Sequence, residues 1–408
     1  MNVARPLFVL LLCALLGACA SKQVRSTSPA PLQTPSRAVP EHLLLDVGVV
    51  VFDPGIEDFD EEEDEFVYPE VRRAESMYMP GLLVEALQNS GAWGAVRIIP
   101  GQDQLTDLTI TGQILHSDGE ELELAIKARD SRGNVWLEKT YPGNASRYAY
   151  EVTARNAYDP FQTVYNDIAN DLLQLQEEIT DSDRENIRLT TEMLFARSFS
   201  PDSFDGYLAK NRRGNWLIMR LPAEDDPMLQ RVRKVRDYDR AYIDELQEHY
   251  ALFEQQMGGP YQEWRKLSYE EAVALEEVRR QSRNQMIAGA VAVLAGIAAA
   301  SSNESGSDGN ATRAAGQIAV LGGGLLFKRG LEKRAEVQIH VQELEELGMS
   351  LEAEITPQVI ELEDRTVMLS GNVEEQYAQW RELLAEIYRA EIGALALPAD
   401  GPGAADTL

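Results

Sequence analysis

The side chains able to do chemistry are few and scattered. The four histidines, His42, His116, His249 and His340, stand far apart in sequence. No His-Glu-x-x-His spacing sets two imidazoles on one helix face as zinc ligands. There is no Gly-x-Ser-x-Gly elbow to present a nucleophilic serine and no phosphate loop ending in Gly-Lys-Ser/Thr. Gly322-Gly323-Gly324 lies inside an apolar stretch with no strand before it, so it makes no nucleotide cradle. With 67 acidic residues, no carboxylate pair stands out for glycosidase-type acid–base work. The run from Glu57 to Glu65 lacks the residue order of an EF-hand and reads as a solvated loop. A non-enzyme with no metal and no cofactor is the expectation. What remains is two thiols, Cys13 and Cys19.

Arg5 gives the start of the chain a positive charge, and Leu7 to Leu16 is an apolar run too short to span a bilayer as a permanent helix. It ends in Leu16-Gly17-Ala18-Cys19, which resembles the lipobox of bacterial lipoproteins. The resemblance implies cleavage between Ala18 and Cys19, acylation of the Cys19 thiol by palmitate-type chains, and a membrane anchor. Ala20 and Ser21 follow where an Asp would retain such a protein at the inner membrane, so the resemblance implies an outer-membrane location facing the periplasm. An ordinary secretory signal, with Cys19 incidental, is the alternative. Cys13 leaves with the signal, so the mature chain has no disulfide and no thiolate chemistry. Residues 1–18 hold Arg5 and no Asp or Glu, so their loss takes the formal charge from −29 to −30. A surface that acidic repels nucleic acid and, at long range, anionic head groups.

The elements that position these groups follow in order. Residues 1–18 are signal peptide. Residues 19–41, rich in Ser, Thr, Pro and Ala, are expected to be a tether that buries nothing. A first α+β domain is expected over 42–178. It opens with a central strand in Leu43–Phe52, then a short helix with Pro80 in its first turn and Gly91 at its stop. The strand Val96–Ile99 follows, and then a meander of Leu108–Ile114, Leu122–Ile126 and Val135–Leu137, turning at Asp118-Gly119 and Arg132-Gly133-Asn134. Asp159-Pro160-Phe161-Gln162 caps a closing helix whose inner face is Phe161, Val164, Tyr165, Ile168, Leu172 and Leu175. The pattern Asp107-Leu-Thr-Ile-Thr-Gly112-Gln-Ile114, followed by a meander and a helix, resembles the periplasmic domains of CsgG, LpoB and the TolB N-terminal region. That resemblance implies an envelope-assembly module without catalytic residues. CsgG's barrel-forming hairpins have no counterpart here.

Residues 179–348 read as mostly helical, broken at Gly206–Trp216 and by a short strand over Trp216–Leu221, and stopped at Gly258-Gly259-Pro260. Their chief feature is an apolar pair within 286–327. One arm is Met286–Ala300 and the other Ala314–Phe327, joined by the polar stretch 301–310. Ala288, Ala292, Gly296 and Ala300 recur every four residues in the first arm, and Ala315, Ala319 and Gly323 in the second. Such glycine-zipper rows let helices approach closely. Several glycines in a helix cost about 1 kcal/mol each against Ala, so they call for a reason. Arg279, Arg280 and Arg283 flank one end, and Lys328, Arg329, Lys333 and Arg334 the other, where lipid phosphates could receive them. Each arm spans roughly 21–23 Å, short for a bilayer but closer to a thin outer membrane. Membrane insertion, a buried self-association hairpin and an unstructured Ala/Gly loop remain open.

The last module, 349–395, is expected as strand, strand, helix. Asn372 and Glu375 cap the helix, and Val373, Tyr377, Trp380, Leu383, Leu384, Ile387 and Tyr388 form its inner face. Val367–Val373 is similar to BON domains, which bind membranes or envelope partners. Residues 396–408 read as a disordered tail. The expected function is a non-enzymatic periplasmic scaffold or regulatory factor of the cell envelope, homo-oligomeric through its Gly/Ala hairpin, with an envelope protein partner and no nucleic acid. The alternatives are an oligomeric pore or export component with 286–327 in the membrane, and an activator of a peptidoglycan synthase.

Overall fold

In the computed structural model, described for residues 28–56, 68–150, 158–301, 339, 341–346, 358–362 and 365–393, the apolar run after Leu43 becomes a short strand, β1 (Val47–Val50). It lies between two parallel partners, β2 (Val96–Ile99) and β3 (Leu108–Ser117). β4 (Glu121–Asp130) and β5 (Val135–Asn144) extend β3 as an antiparallel meander, giving the order β2-β1-β3-β4-β5. The alternation along β3 and β4 sorts their side chains. Leu108, Ile110, Ile114, Leu122, Leu124 and Ile126 are buried on one face, while Thr109, Thr111, Gln113 and Lys127 stay accessible on the other. The architecture is α+β, as the element order predicts.

Helix α1 (Pro69–Ser90) connects β1 to β2 and is longer than the spacing predicts. Pro69 occupies the helix start, and Pro80, expected there, sits inside. A proline in a helix interior leaves the carbonyl four residues earlier without its donor. Here that carbonyl belongs to Ser76, and the Phe52 N–H donates to it at 2.9 Å. The break is thereby turned into a tie between α1 and the end of β1. Phe52 in turn lies where a side chain on Gly112 would go: a Cβ there would fall 2.6 Å from the ring.

Helices α2 (Gln162–Glu178) and α3 (Asp181–Phe199) follow. α1 and α2 pack against each other over the buried sheet face. Thr180 caps α3 by accepting from the Asp183 N–H, and Asp183 answers the Thr180 N–H. α3 crosses the end of the sheet where β1 and β3 begin. There the buried Asp107 accepts from the Thr191 hydroxyl at 2.6 Å and from the Asp46 N–H at 3.0 Å. A small hairpin, β6 (Leu208–Lys210) and β7 (Trp216–Ile218), sits beside α3.

Helix α4 (Pro227–Ser301) passes straight through Gly258-Gly259-Pro260, against the expected stop. Met257, Tyr261 and Trp264 are all buried, so packing on both sides of the proline outweighs its local preference. α4 runs along the outer edge of the sheet. The side-chain amide of Gln247 donates to the Ile98 carbonyl at 2.9 Å and accepts from the Ile98 N–H at 2.8 Å. It thus occupies the edge of β2 as a neighbouring strand would. The strands β8 (Gln358–Leu362) and β9 (Arg365–Leu369) and helix α5 (Val373–Gly393) match the predicted last module, with Asn372 and Glu375 capping reciprocally. α5 docks on α4 through Trp380, stacked on Tyr242 at 5.1 Å. Buried apolar residues from Leu45 to Tyr388 form one cluster, so these segments share a core.

The upper part of α4 is seated on the β3–β4 turn. Gly119, at φ 83°, lies so close that a Cβ would fall 2.4 Å from the Arg265 carbonyl oxygen. Arg265 forms a fork on Asp159 at 3.1 and 2.5 Å, both side chains nearly sealed from solvent. One turn back, the Tyr261 hydroxyl donates to Glu75 of α1 at 2.6 Å, as does Ser117 of β3. Burial pushes the Glu75 carboxyl up, against the opposing pull of Arg72 and the two hydroxyls.

Breaking the fork leaves a buried carboxylate without its cation. Arg265→Ala should therefore cost about 3–5 kcal/mol in urea-unfolding stability. A carboxyl raised in the folded state favours folding most below its unfolded value near 4.5, and that contribution is lost as pH climbs toward the folded pKa. Glu75→Gln removes the titration, so its Tm relative to the parent should rise steadily from pH 4.5 to pH 7. A difference constant across that range would show that burial does not raise Glu75.

Candidate functional site

Ala18 and Cys19 lie outside the described residues. The chain that would lead to them does not hang free as the composition predicts. From Ala30 to Arg37 it is laid along α2 in an extended strap. The Ala30 N–H donates to Thr163 Oγ1 at 3.2 Å, and Asn166 donates to the Ala30 carbonyl at 2.7 Å. Asn170 serves both ways, donating to the Pro31 carbonyl at 3.1 Å and accepting from the Gln33 N–H at 2.8 Å. The Ser36 N–H donates to Glu177 at 2.6 Å, and Arg37 pairs with Asp181 at 3.0 Å. The Ser36 contacts hold the exposed Glu177 carboxyl below its ordinary range.

These partners recur at 163, 166, 170 and 177 on one face of α2. That spacing is written in the sequence, but an outward polar stripe on an amphipathic helix is ordinarily only a solvated face. The ladder reads backbone groups and makes few demands on side chains. The prolines at 29, 31 and 35 hold the extended form it requires.

The strap runs in the same direction as α2, so the chain toward Cys19 leaves beside Thr163, at the start of that helix. Gly143 at the end of β5 packs there against Val164 and Phe161. The Asp159–Arg265 fork and the Ser268 hydroxyl, which donates to the Asp118 carbonyl, bring the β3–β4 turn and α4 to the same end. α4 leaves the domain at that end, its last described ring contact being Tyr269 with Tyr150.

Of the two small-residue rows, Ala288, Ala292, Gly296 and Ala300 lie on the helical backbone of α4, while their side chains lie outside the described residues. Ala315, Ala319 and Gly323 lie wholly outside them. Among the described residues no helix is long and apolar enough to cross a membrane.

Other features with chemical potential are modest. A cleft of about 500 Å³ lies on the open sheet face, lined by Val51, Gln113, Lys127, Glu138 and Thr140 among others, with Lys127 and Glu138 paired at 3.0 Å. His116 meets Asp118 at 3.0 Å; that hydrogen bond raises the imidazole pKa. For Asp118 burial alone would raise the carboxyl, but His116 and the N–H groups of Glu120 and Glu121 outweigh it and the net shift is downward. Among the described residues no group of three His, Cys, Asp or Glu side chains is placed to hold a metal.

No family model matches the chain, and no curated protein does. Two solved structures are similar to part of it. Protein XCC0632 from Xanthomonas campestris, of family DUF330, is 16% identical over 38% of this chain and 95% of its own, with a TM-score of 0.23. A PelC dodecamer from Paraburkholderia phytofirmans is 17% identical over 37% of this chain and 96% of its own, with a TM-score of 0.19. A likeness at that level gives the chain neither a family nor a function.

Proposed function

We propose that the chain is an outer-membrane lipoprotein facing the periplasm. It scaffolds or regulates an envelope assembly without catalysing a reaction, and it associates with copies of itself through the Gly/Ala segment 286–327. The Leu16-Gly17-Ala18-Cys19 sequence motivates the anchor. The observation that carries the reading is the strap. It directs the chain toward Cys19 out of the same end of the domain from which α4 departs.

The lengths agree. The nine residue-to-residue steps from Cys19 to Ser28 span at most about 30 Å when extended. α4 reaches Met286 roughly 26 Å beyond Tyr269, at 1.5 Å per residue. Acyl chains on Cys19 and the apolar stretch Met286–Ala300 can therefore meet one bilayer at one level. The same coincidence favours a second reading, in which the Gly/Ala arms insert as part of an oligomeric pore or export component.

Cys19→Ala should release the protein from outer-membrane vesicles into the periplasmic fraction, and the lipid should be found on the mature terminus by mass spectrometry. An unlipidated terminus on the membrane-bound parent would remove the anchor reading. If the Cys19→Ala protein instead resists carbonate extraction until residues 286–327 are deleted, the inserted reading prevails. The strap gives a separate test. Asn166→Ala with Asn170→Ala should expose residues 28–37 to protease at least tenfold faster while leaving the Tm of the domain within a few degrees. Equal cleavage rates would mean the ladder does not hold the strap.

A further inference from the structure

The hairpin of β6 and β7 is built in a way that stability does not require. Its inner side is anchored: Leu208 and the preceding Phe204 are buried, and the ladder of Leu208 with Ile218 continues through the Met219 N–H, which donates to the Tyr207 carbonyl at 2.8 Å. The outward positions of such a strand are ordinarily polar. Here the outward position is Leu217, exposed by 50%, and the chain just past the strand adds Met219 and Leu221, exposed by 64% and 47%. Three of the molecule's exposed large apolar side chains thus fall within five residues of one short segment.

The charge around this row runs against the rest of the molecule. Between Gly206 and Ala223 the chain has Lys210, Arg212, Arg213 and Arg220 and no Asp or Glu, in a protein of net charge −29. All four are exposed. Lys210 lies over the Trp216 ring at 4.6 Å and Arg220 over the Tyr207 ring at 4.6 Å, so their stems rest on aromatic faces and their charged ends face water. Apolar side chains, aromatic rings with one wet edge and exposed cations on one small projection are the complement of one surface. It has an apolar interior under a layer of negative charge.

We propose that the 207–221 hairpin is a peripheral docking element for a bilayer bearing anionic phospholipid. Leu217, Met219 and Leu221 enter the head-group region while the four cations meet lipid phosphates. The hairpin turn abuts the β4–β5 turn, where the Trp216 N–H donates to the Arg132 carbonyl at 2.8 Å. That is the opposite end of the meander from the start of the strap, roughly 30 Å away along ten-residue strands. The long-range repulsion from a net-acidic body slows approach but is screened over about a Debye length, so the close-range attraction of the hairpin acts without an acyl anchor.

The test uses the mature full-length chain with Cys19→Ser, so that no acyl chain contributes, and with Met219→Cys carrying an environment-sensitive nitrobenzoxadiazole dye. On vesicles of phosphatidylethanolamine and phosphatidylglycerol the dye should shift to the blue and brighten several-fold. On pure phosphatidylcholine it should not respond. Each cation near an anionic surface contributes roughly fivefold to partitioning, so K210E/R212E/R213E should lower the response at least tenfold, and salt should reverse it. Leu217→Ser with Leu221→Ser keeps the charge and should lower it as well. Silence on both vesicles, or an equal response on both, overturns the proposal. So does loss of self-association in these variants without loss of vesicle response, which assigns the hairpin to a protein contact. Because Cys19 is already replaced, failure here leaves the lipid-anchor reading standing, and failure of that reading leaves this one standing.

Discussion

The seating of α4 on the β3–β4 turn decides where everything outside the sheet lies. Gly119 permits the approach, since any Cβ at that position would collide with the backbone of Arg265. The Arg265–Asp159 fork then fixes the rotation of the helix about its axis, and with it the faces that meet α1 and α5. A buried ion pair contributes little net stability, because desolvating two charges offsets much of their attraction, but it penalises any arrangement that separates them. The burial of Met257, Tyr261 and Trp264 supplies the stabilisation, on the order of 2 kcal/mol for each large apolar side chain. The fork selects one register from several that such burial would allow. Because that register carries α4 past the Gly-Gly-Pro sequence without a break, the helix becomes a lever pointing out of the domain at a defined end.

The strap is held by different physics. Its hydrogen bonds are exposed and each contributes about 0.5–1.5 kcal/mol net. Ordering a residue costs about 1–2 kcal/mol of backbone entropy. On those magnitudes the ladder is marginal for an ordinary sequence. Pro29, Pro31 and Pro35 shift the balance by restricting the unlaced chain, and Leu32 adds contact with the core. An attachment of this kind fixes direction at little cost and yields under load. α4, anchored by burial, does not. The two exits at one end of the domain therefore differ in stiffness.

The legible parts of the sequence were those in which one local rule acted alone. The β3–β5 meander followed from alternation and from turns at Asp118-Gly119 and Arg132-Gly133-Asn134, and the cap at Asn372 and Glu375 from side-chain geometry. Local rules failed where tertiary contact overrode them. Pro80 reads as a helix start until Phe52 is available to take the Ser76 carbonyl, and Gly258-Gly259-Pro260 reads as a stop until three buried aromatic and sulfur side chains flank it. The strap was illegible for a different reason. Thr163, Asn166 and Asn170 bind backbone, and backbone carries no sequence signature in its partner. The hairpin row at Leu217, Met219 and Leu221 was visible as a short strand, but which side of it faces out depends on Phe204 and Leu208, and alternation alone does not assign that.

Charge distribution ties these pieces together. A body of net charge −29 keeps its copies apart and repels anionic surfaces over roughly a Debye length, about 8–10 Å in physiological salt. Association that depended on long-range steering would be slow. Short-range features then decide which contacts form, because they act only after other forces have brought surfaces within that distance. The exposed cations and apolar side chains of the 207–221 segment act at that range. On an acidic body, few and concentrated basic and apolar elements discriminate by geometry: only a surface presented to those elements escapes the general repulsion.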